Sequence, residues 1–200
     1  MHRYSSLEVI YVRLFKNIQI IGGNLMSHLT EKFFTTNLVF DGNLLKVYRD
    51  KVELPNGKEA SREFIKHPGA VAVVPITEDG KIVLVKQYRY AIGKTMLEVP
   101  AGKLDYGEHP DQCVLRELKE ETGFIANNIK RMTSIYTTPG FSDEVIHLYV
   151  ADNLKLSKQC LDEDEFLDVE VYTKEEIKIM IADGTINDAK SMLALLLAGI

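Results

Sequence analysis

Tryptophan is absent and cysteine nearly so: the 200 residues hold two cysteines, Cys113 and Cys160. Neither stands in a CxxC pair or near a histidine at ligand spacing, so neither a zinc module nor a disulfide scaffold is indicated. Two free thiols suit a reducing compartment, and a cytoplasmic protein is expected. The chain has no long run of one charge. Its 24 Lys and Arg against 29 Asp and Glu give a formal net charge of −5. Without a basic tract there is no footprint for counterion-release binding, so no nucleic-acid partner is expected. Long apolar stretches are missing too. Ala70–Ile76 and Met192–Ile200 fall well short of the ~18 residues of a membrane span. The terminal MLALLLAGI is therefore read as a helix packed on a sheet, with no membrane partner. An export signal is not indicated either, because Glu8, Arg13 and Lys16 interrupt the first apolar stretch and no small-residue cleavage site follows.

What is present is ordinary globular composition: 46% hydrophobic and 26% charged residues, with 13 Gly and 6 Pro. A chain of this size buries a core without disulfides or a structural metal. Residues 1–28 differ from the rest. They are read as an N-terminal extension upstream of the natural start, with an ordered N-terminal arm as the alternative. Residues 29–68 form a β subdomain, with turns at Asp41-Gly42-Asn43 and Leu54-Pro55-Asn56-Gly57. Residues 69–200 form the main domain. There, Ala70–Ile76 and Ile82–Tyr88 read as a buried hairpin, Thr95–Val99 as a short strand, and 110–122 as a helix. Strands are expected at about 129–137, 144–151 and 168–172, then helices over Lys174–Ala182 and Asp188–Ala198. Thr173 and Glu176 fit a capping box. Strands interleaved with helices in this irregular order indicate an α/β or α+β sandwich.

The helix over 110–122 carries the informative chemistry. Pro110 suits its first turn and Gly123 its end. At about 100° per residue, Val114, Leu118 and Leu115 make a buried stripe, whereas Glu117 and Glu121 share another face with Glu120 beside them. Like charges at i,i+4 repel, and the helix dipole disfavours anions at the C-terminus. A solvated acidic face is one explanation. The other is a hard dication that converts the repulsion into coordination.

The spacing around this helix decides between them. Gly102 is followed by five residues, Glu108, seven residues, Arg116-Glu117-Leu118, one residue, Glu120-Glu121, one residue, and Gly123-Phe124. This resembles the box GX5EX7REUXEEXGU of the Nudix hydrolases at every fixed position. EVPAG before it, YTTPGFSDE after it, HPGAVAVVPI, VKQYRY and LDEDEF resemble the ADP-ribose pyrophosphatase branch, so the similarity covers about 30–200.

The resemblance implies an α/β/α sandwich with a mixed sheet, a small N-terminal antiparallel sheet that supports a homodimer, and hydrolysis of a nucleoside diphosphate. The expected reaction converts ADP-ribose to AMP and ribose 5-phosphate with Mg2+, or Mn2+ in its place. Another nucleoside diphosphate derivative, such as an ADP-sugar, a dinucleotide or an oxidised nucleotide, is the alternative substrate. A non-catalytic ADP-ribose or NAD sensor is disfavoured because every box carboxylate is retained.

The resemblance also assigns roles. Glu117, Glu121 and the Ala101 carbonyl hold metal. Glu120 is a ligand or a partner in the metal's outer hydration. Arg116 orients a box carboxylate, and Glu108 fixes the loop or reaches a metal through water. The base comes from the acidic loop, with Glu163 favoured over Glu165 and Glu120 next. Arg89 contacts phosphate or the adenine ribose, and Glu98 the terminal ribose or a metal. Pro139 marks the branch. Phe141 and Tyr88 either stack on adenine or pack in the core, and His147 reads as a strand histidine.

Overall fold

The structure, a computed structural model, describes residues 28–200. The expected extension lies outside the described residues except for its last position. Three antiparallel strands come first: β1 (Lys32–Asp41), β2 (Lys46–Glu53) and β3 (Glu59–Lys66). Both expected turns join them. Gly42 N–H closes the first onto the Leu45 carbonyl, and Gly57 closes the second at φ 79°, a conformation that favours glycine. Every residue of β1 is exposed, including Phe33 and Phe40, each 57% accessible. The subdomain is tied to the rest through β3, where Ile65 N–H donates to the Phe141 carbonyl and accepts at its own carbonyl from Asp143 N–H.

The main domain is built on β4 (Ala70–Pro75), AVAVVP, whose six residues are all buried. A strand with no polar residue must be covered on both faces, and it is. β4 is the second strand of a four-stranded mixed sheet with β7 (Ala101–Lys103), β9 (Val145–Leu156) and β8 (Phe124–Tyr136), in the order β7-β4-β9-β8. It runs parallel to β9 and antiparallel to β7. One face presents Val71, Val73 and Tyr149 to Cys113, Val114 and Leu118 of α1 (Pro110–Thr122). The other presents Ala70, Ala72, Ile146 and Leu148 to a core that includes Ile177 of α2 (Lys174–Ala182) and Ala194 and Leu195 of α3 (Ala189–Leu197). Each fully buried Val or Leu contributes on the order of 1.5–3 kcal/mol by leaving water. The result is the expected α/β/α sandwich.

A third sheet, β10-β5-β6, is antiparallel and combines β5 (Ile82–Arg89), β6 (Lys94–Glu98) and β10 (Leu167–Tyr172). The expected hairpin of Ala70–Ile76 with Ile82–Tyr88 is therefore corrected. A single bridge, Ile76 to Ile82, joins the two strands, which then diverge into different sheets. The reason is that both are apolar on two faces, so each needs neighbours of its own. β7 was not expected, because three residues with a glycine at the centre carry no strand signal.

The helix termini follow local chemistry. In α1, Pro110 occupies the first turn, and Gly123 ends the helix at φ 71° with its N–H on the Lys119 carbonyl. In α2, Thr173 and Glu176 form the reciprocal capping box. The α1 stripe differs from expectation. Leu115 is 38% exposed, whereas Glu121 is buried with Val114 and Leu118. Glu121 stands three residues after Leu118, one helical turn along the same side.

Candidate active site

A cavity of about 1200 Å³ opens between the C-terminal half of α1, strand β7, the end of β5, the acidic loop before β10 and the start of α3. Ala70, Ile135 and Ile146 give it an apolar floor, and Arg116, Glu117, Glu120, Glu121, Arg89 and Glu165 give it a charged wall.

Arg116 organises that wall. Its Nε and Nη2 form a bidentate pair with Glu108 at 2.9 and 2.8 Å, and Nη1 reaches Glu117 at 2.8 Å and Glu120 at 3.0 Å. Nη2 also donates to the Lys103 carbonyl. Bidentate guanidinium–carboxylate pairs are directional, so one arginine spaces three box glutamates. Glu108 accepts from Asp105 N–H as well. Arg116 holds its carboxyl down at about 2.

Glu121 is the opposite case. It is 2% exposed, and its carboxylate accepts one hydrogen bond among the described residues, from Ala101 N–H at 3.0 Å. Burial pushes its carboxyl up to about 8, with the Ala101 bond opposing and the Glu117 charge adding. Burial raises Glu117 too, against the pull of Arg116. A raised carboxyl destabilises the fold above the unfolded value of 4.5, and the cost is absent below it. At neutral pH that cost is roughly 3 kcal/mol. A buried carboxyl with a single neutral donor stays mostly protonated at neutral pH, and a cation beside it would favour the ionised form.

The backbone beside it is shaped to match. A Cβ on Gly102 would stand 1.9 Å from the Glu117 carboxyl carbon, so glycine alone lets that carboxylate lie against β7. Two glutamates and the Ala101 peptide thus meet where α1 crosses β7. These are hard oxygen donors of the kind that Mg2+ takes. They do not converge on one point: among the described residues no three such side chains stand as a ready metal cluster. Glu117 is turned toward Arg116 instead.

Across the cavity, Arg89 Nε and Nη2 pair with Glu98 at 2.7 and 2.8 Å, and Lys190 also binds Glu98. Lys190 bridges to Asp188 at 3.0 Å, and Asp188 caps α3 by accepting from Ser191 N–H. Ser191 in turn accepts from Val99 N–H. Glu98 is 2% exposed, and burial alone would raise its carboxyl. Arg89 and Lys190 outweigh burial and bring it to about 2. Both Glu98 oxygens are occupied by cations, which gives this residue the work of holding Arg89 and Lys190. Arg89 lines the cavity, and its Nη1 has no hydrogen-bond partner among the described residues.

In the acidic loop, Glu165 lines the cavity together with Asp162 and Asp164, whereas Glu163 is exposed and off its wall. The turn that closes Glu165 N–H onto the Asp162 carbonyl places them so. Thr137 and Thr138 reach the cavity, but Pro139 and Phe141 do not. Phe141 and Tyr88 are 55% and 56% exposed, so neither is a core aromatic. His147 lies on β9 beside Arg131 and Ser134, away from the cavity wall.

Lys190, Asp188 and Lys103 also line the cavity and were missed from sequence. Asp188 carried a usable signal, an Asp three residues before Ser at a helix start. Lys190 carried none, because its partner lies 92 residues away.

The opening at Gly102 and the carboxylates that the last turns of α1 set against it form an acidic cleft lined with oxygen donors. The chain belongs to the Nudix family: the NUDIX domain model matches residues 66–195. It is 44% identical over 172 residues to an ADP-ribose pyrophosphatase of Bacillus subtilis (strain 168), covering 85% of this chain and 93% of that protein. It is 46% identical over 166 residues to a methanol dehydrogenase activator of Bacillus methanolicus, covering 82% and 90%. A crystal structure of an ADP compounds hydrolase superposes with a TM-score of 0.75 at 25% identity, covering 84% of this chain and 91% of that one.

The Glu98 clamp has a measurable consequence. Its stabilisation is complete above pH 4.5 and is lost as pH falls toward 2, because the folded carboxyl is depressed. Glu98→Gln is expected to lower unfolding free energy by roughly 3 kcal/mol at pH 7, with the deficit shrinking as pH drops below 4.5. Urea unfolding of both proteins at pH 7 and pH 3.5 checks this, and a deficit that does not change with pH would rule out the clamp.

Proposed function

We propose that this Nudix hydrolase cleaves the diphosphate of ADP-ribose to AMP and ribose 5-phosphate, using Mg2+, with Mn2+ as a substitute. The observation that carries the reading is Glu121, a buried carboxylate with one neutral donor, set beside Glu117 at the mouth of the box. Glu117, Glu121 and the Ala101 carbonyl would hold the metal, with Glu120 as a further ligand or a partner in its outer hydration. When bound, the ion neutralises the diphosphate and lowers the pKa of a water.

The chain's own residues do the rest. Arg116 spaces the carboxylates, and Arg89, gripped by Glu98, offers its free Nη1 to phosphate or ribose. Glu165, half-buried and raised chiefly by burial, takes the proton of the attacking water. It replaces Glu163 as the preferred base because it is the glutamate of that loop on the cavity wall. The choice of ADP-ribose rests on the named relatives and on the segment around Pro139, which borders the cavity through Thr137 and Thr138.

We also propose a homodimer. The wholly exposed β1 places Phe33, Phe40 and Val39 in water, and a second copy would cover them. Light scattering should give twice the chain mass, and a single-chain mass at working concentrations would refute the dimer.

Among ADP-ribose, ADP-glucose, NADH, Ap4A and 8-oxo-dGTP, ADP-ribose should show the highest kcat/KM, and EDTA should abolish turnover. Glu117→Gln, Glu121→Gln and Glu165→Gln should each lower kcat by about 100-fold or more. A dinucleotide preferred tenfold over ADP-ribose would overturn the substrate, and full activity in EDTA would overturn the mechanism.

A further inference from the structure

An α-helix leaves its last carbonyls without intrahelical donors. At the end of α1 three carbonyls are taken by one short segment. Ser157 N–H donates to the Gly123 carbonyl at 2.6 Å and Cys160 N–H to the Glu120 carbonyl at 3.0 Å. Between them, the Gln159 side-chain amide donates to the Glu121 carbonyl at 2.6 Å. The fit is close: a Cβ on Gly123 would stand 3.0 Å from Gln159 N. Glu121 is therefore held at both ends, its carboxylate by Ala101 N–H and its carbonyl by Gln159. The same segment leads directly into the acidic loop. Past Cys160 the chain turns once, through the Glu165 N–H to Asp162 carbonyl bond, and delivers Glu165 to the cavity.

We infer that Gln159 is a positioning residue for hydrolysis: its amide fastens segment 157–160 to the C-terminus of α1 and so sets Glu165 against Glu117 and Glu121. This inference rests on the reading of Glu165 as the base. Gln159 itself is exposed and lines no part of the cavity, so it touches neither substrate nor metal. It acts by joining two elements that carry the reacting groups. The α1 carboxylates belong to a helix packed in the core, but Glu165 sits on a loop held between this segment on one side and β10, where Leu167 pairs with Gln87, on the other. A small misplacement of a base costs rate steeply and leaves ground-state binding nearly untouched.

Kinetics of Gln159→Ala, Gln159→Lys, Glu165→Gln and the double variant Gln159→Ala/Glu165→Gln on ADP-ribose test this. Gln159→Ala should lower kcat on the order of tenfold, with KM within about twofold and an unchanged urea midpoint. Gln159→Lys, which keeps an N–H donor for the carbonyl, should recover most of kcat. The double variant should be no slower than Glu165→Gln alone, because Gln159 acts through that residue.

Hydrogen exchange supplies a second readout independent of turnover: the Ser157 and Cys160 amides should exchange faster in Gln159→Ala. If Glu165→Gln is impaired while Gln159→Ala keeps parental kcat, or if the two losses multiply, the inference fails and the base stands. If Glu165→Gln keeps parental kcat, the base fails and the inference falls with it. Unchanged exchange at Ser157 and Cys160 also overturns it.

Discussion

The burial of the Glu121 carboxylate is the constraint from which the rest of the site follows. Val114 and Leu118 lock α1 against the sheet, and Glu121 lies one turn beyond Leu118 on the same side. The helix cannot rotate this carboxylate into water without lifting both apolar residues out of the core. The helix dipole adds to the burden, since the residue stands at the C-terminal end. Beside it, the Gly102 opening admits the Glu117 carboxylate and Ala101 N–H donates to Glu121, so two carboxyls are gathered where a bound cation would offset their burial.

Among the described residues no cation makes a salt bridge to Glu121, although the charge of Arg89 draws its carboxyl down somewhat against burial. Arg116 is committed to Glu108, Glu117 and Glu120, and Arg89 and Lys190 are committed to Glu98. Glu121 lies between the two clusters and joins neither by a salt bridge. The clamps also rigidify the wall: one ties α1 to the loop after β7, and the other ties β5 and β6 to the start of α3. Preorganised groups of this kind do not need to rearrange as charge develops on the leaving phosphate.

Much of this was legible in the sequence where the determinants are local. Pro110 and Gly123 bound α1, and Thr173 with Glu176 capped α2, because turns and caps are settled within a few residues. The box spacing singled out Glu117, Glu121 and Arg116 as candidates, and all three line the cavity. Determinants that depend on distant neighbours were not legible. Helical periodicity placed Leu115 in the stripe and Glu121 outside it, but the sheet presses on the Val114–Leu118 side and reverses the two. Glu163 and Glu165 are equivalent acidic residues until the Asp162 turn points one of them at the cavity. The Glu98–Lys190 pair spans 92 residues, and no local pattern reports it.

The most direct test compares the unfolding temperature of the parent protein and Glu121→Gln, in EDTA and in Mg2+, without substrate. If the buried carboxylate exists to hold a cation, Glu121→Gln is the more stable protein in EDTA, because it removes a carboxyl that must take up a proton to be buried at neutral pH. Mg2+ then raises the unfolding temperature of the parent and leaves the variant nearly unchanged. Equal stabilisation of both proteins by Mg2+, or a variant that is less stable in EDTA, would contradict the account.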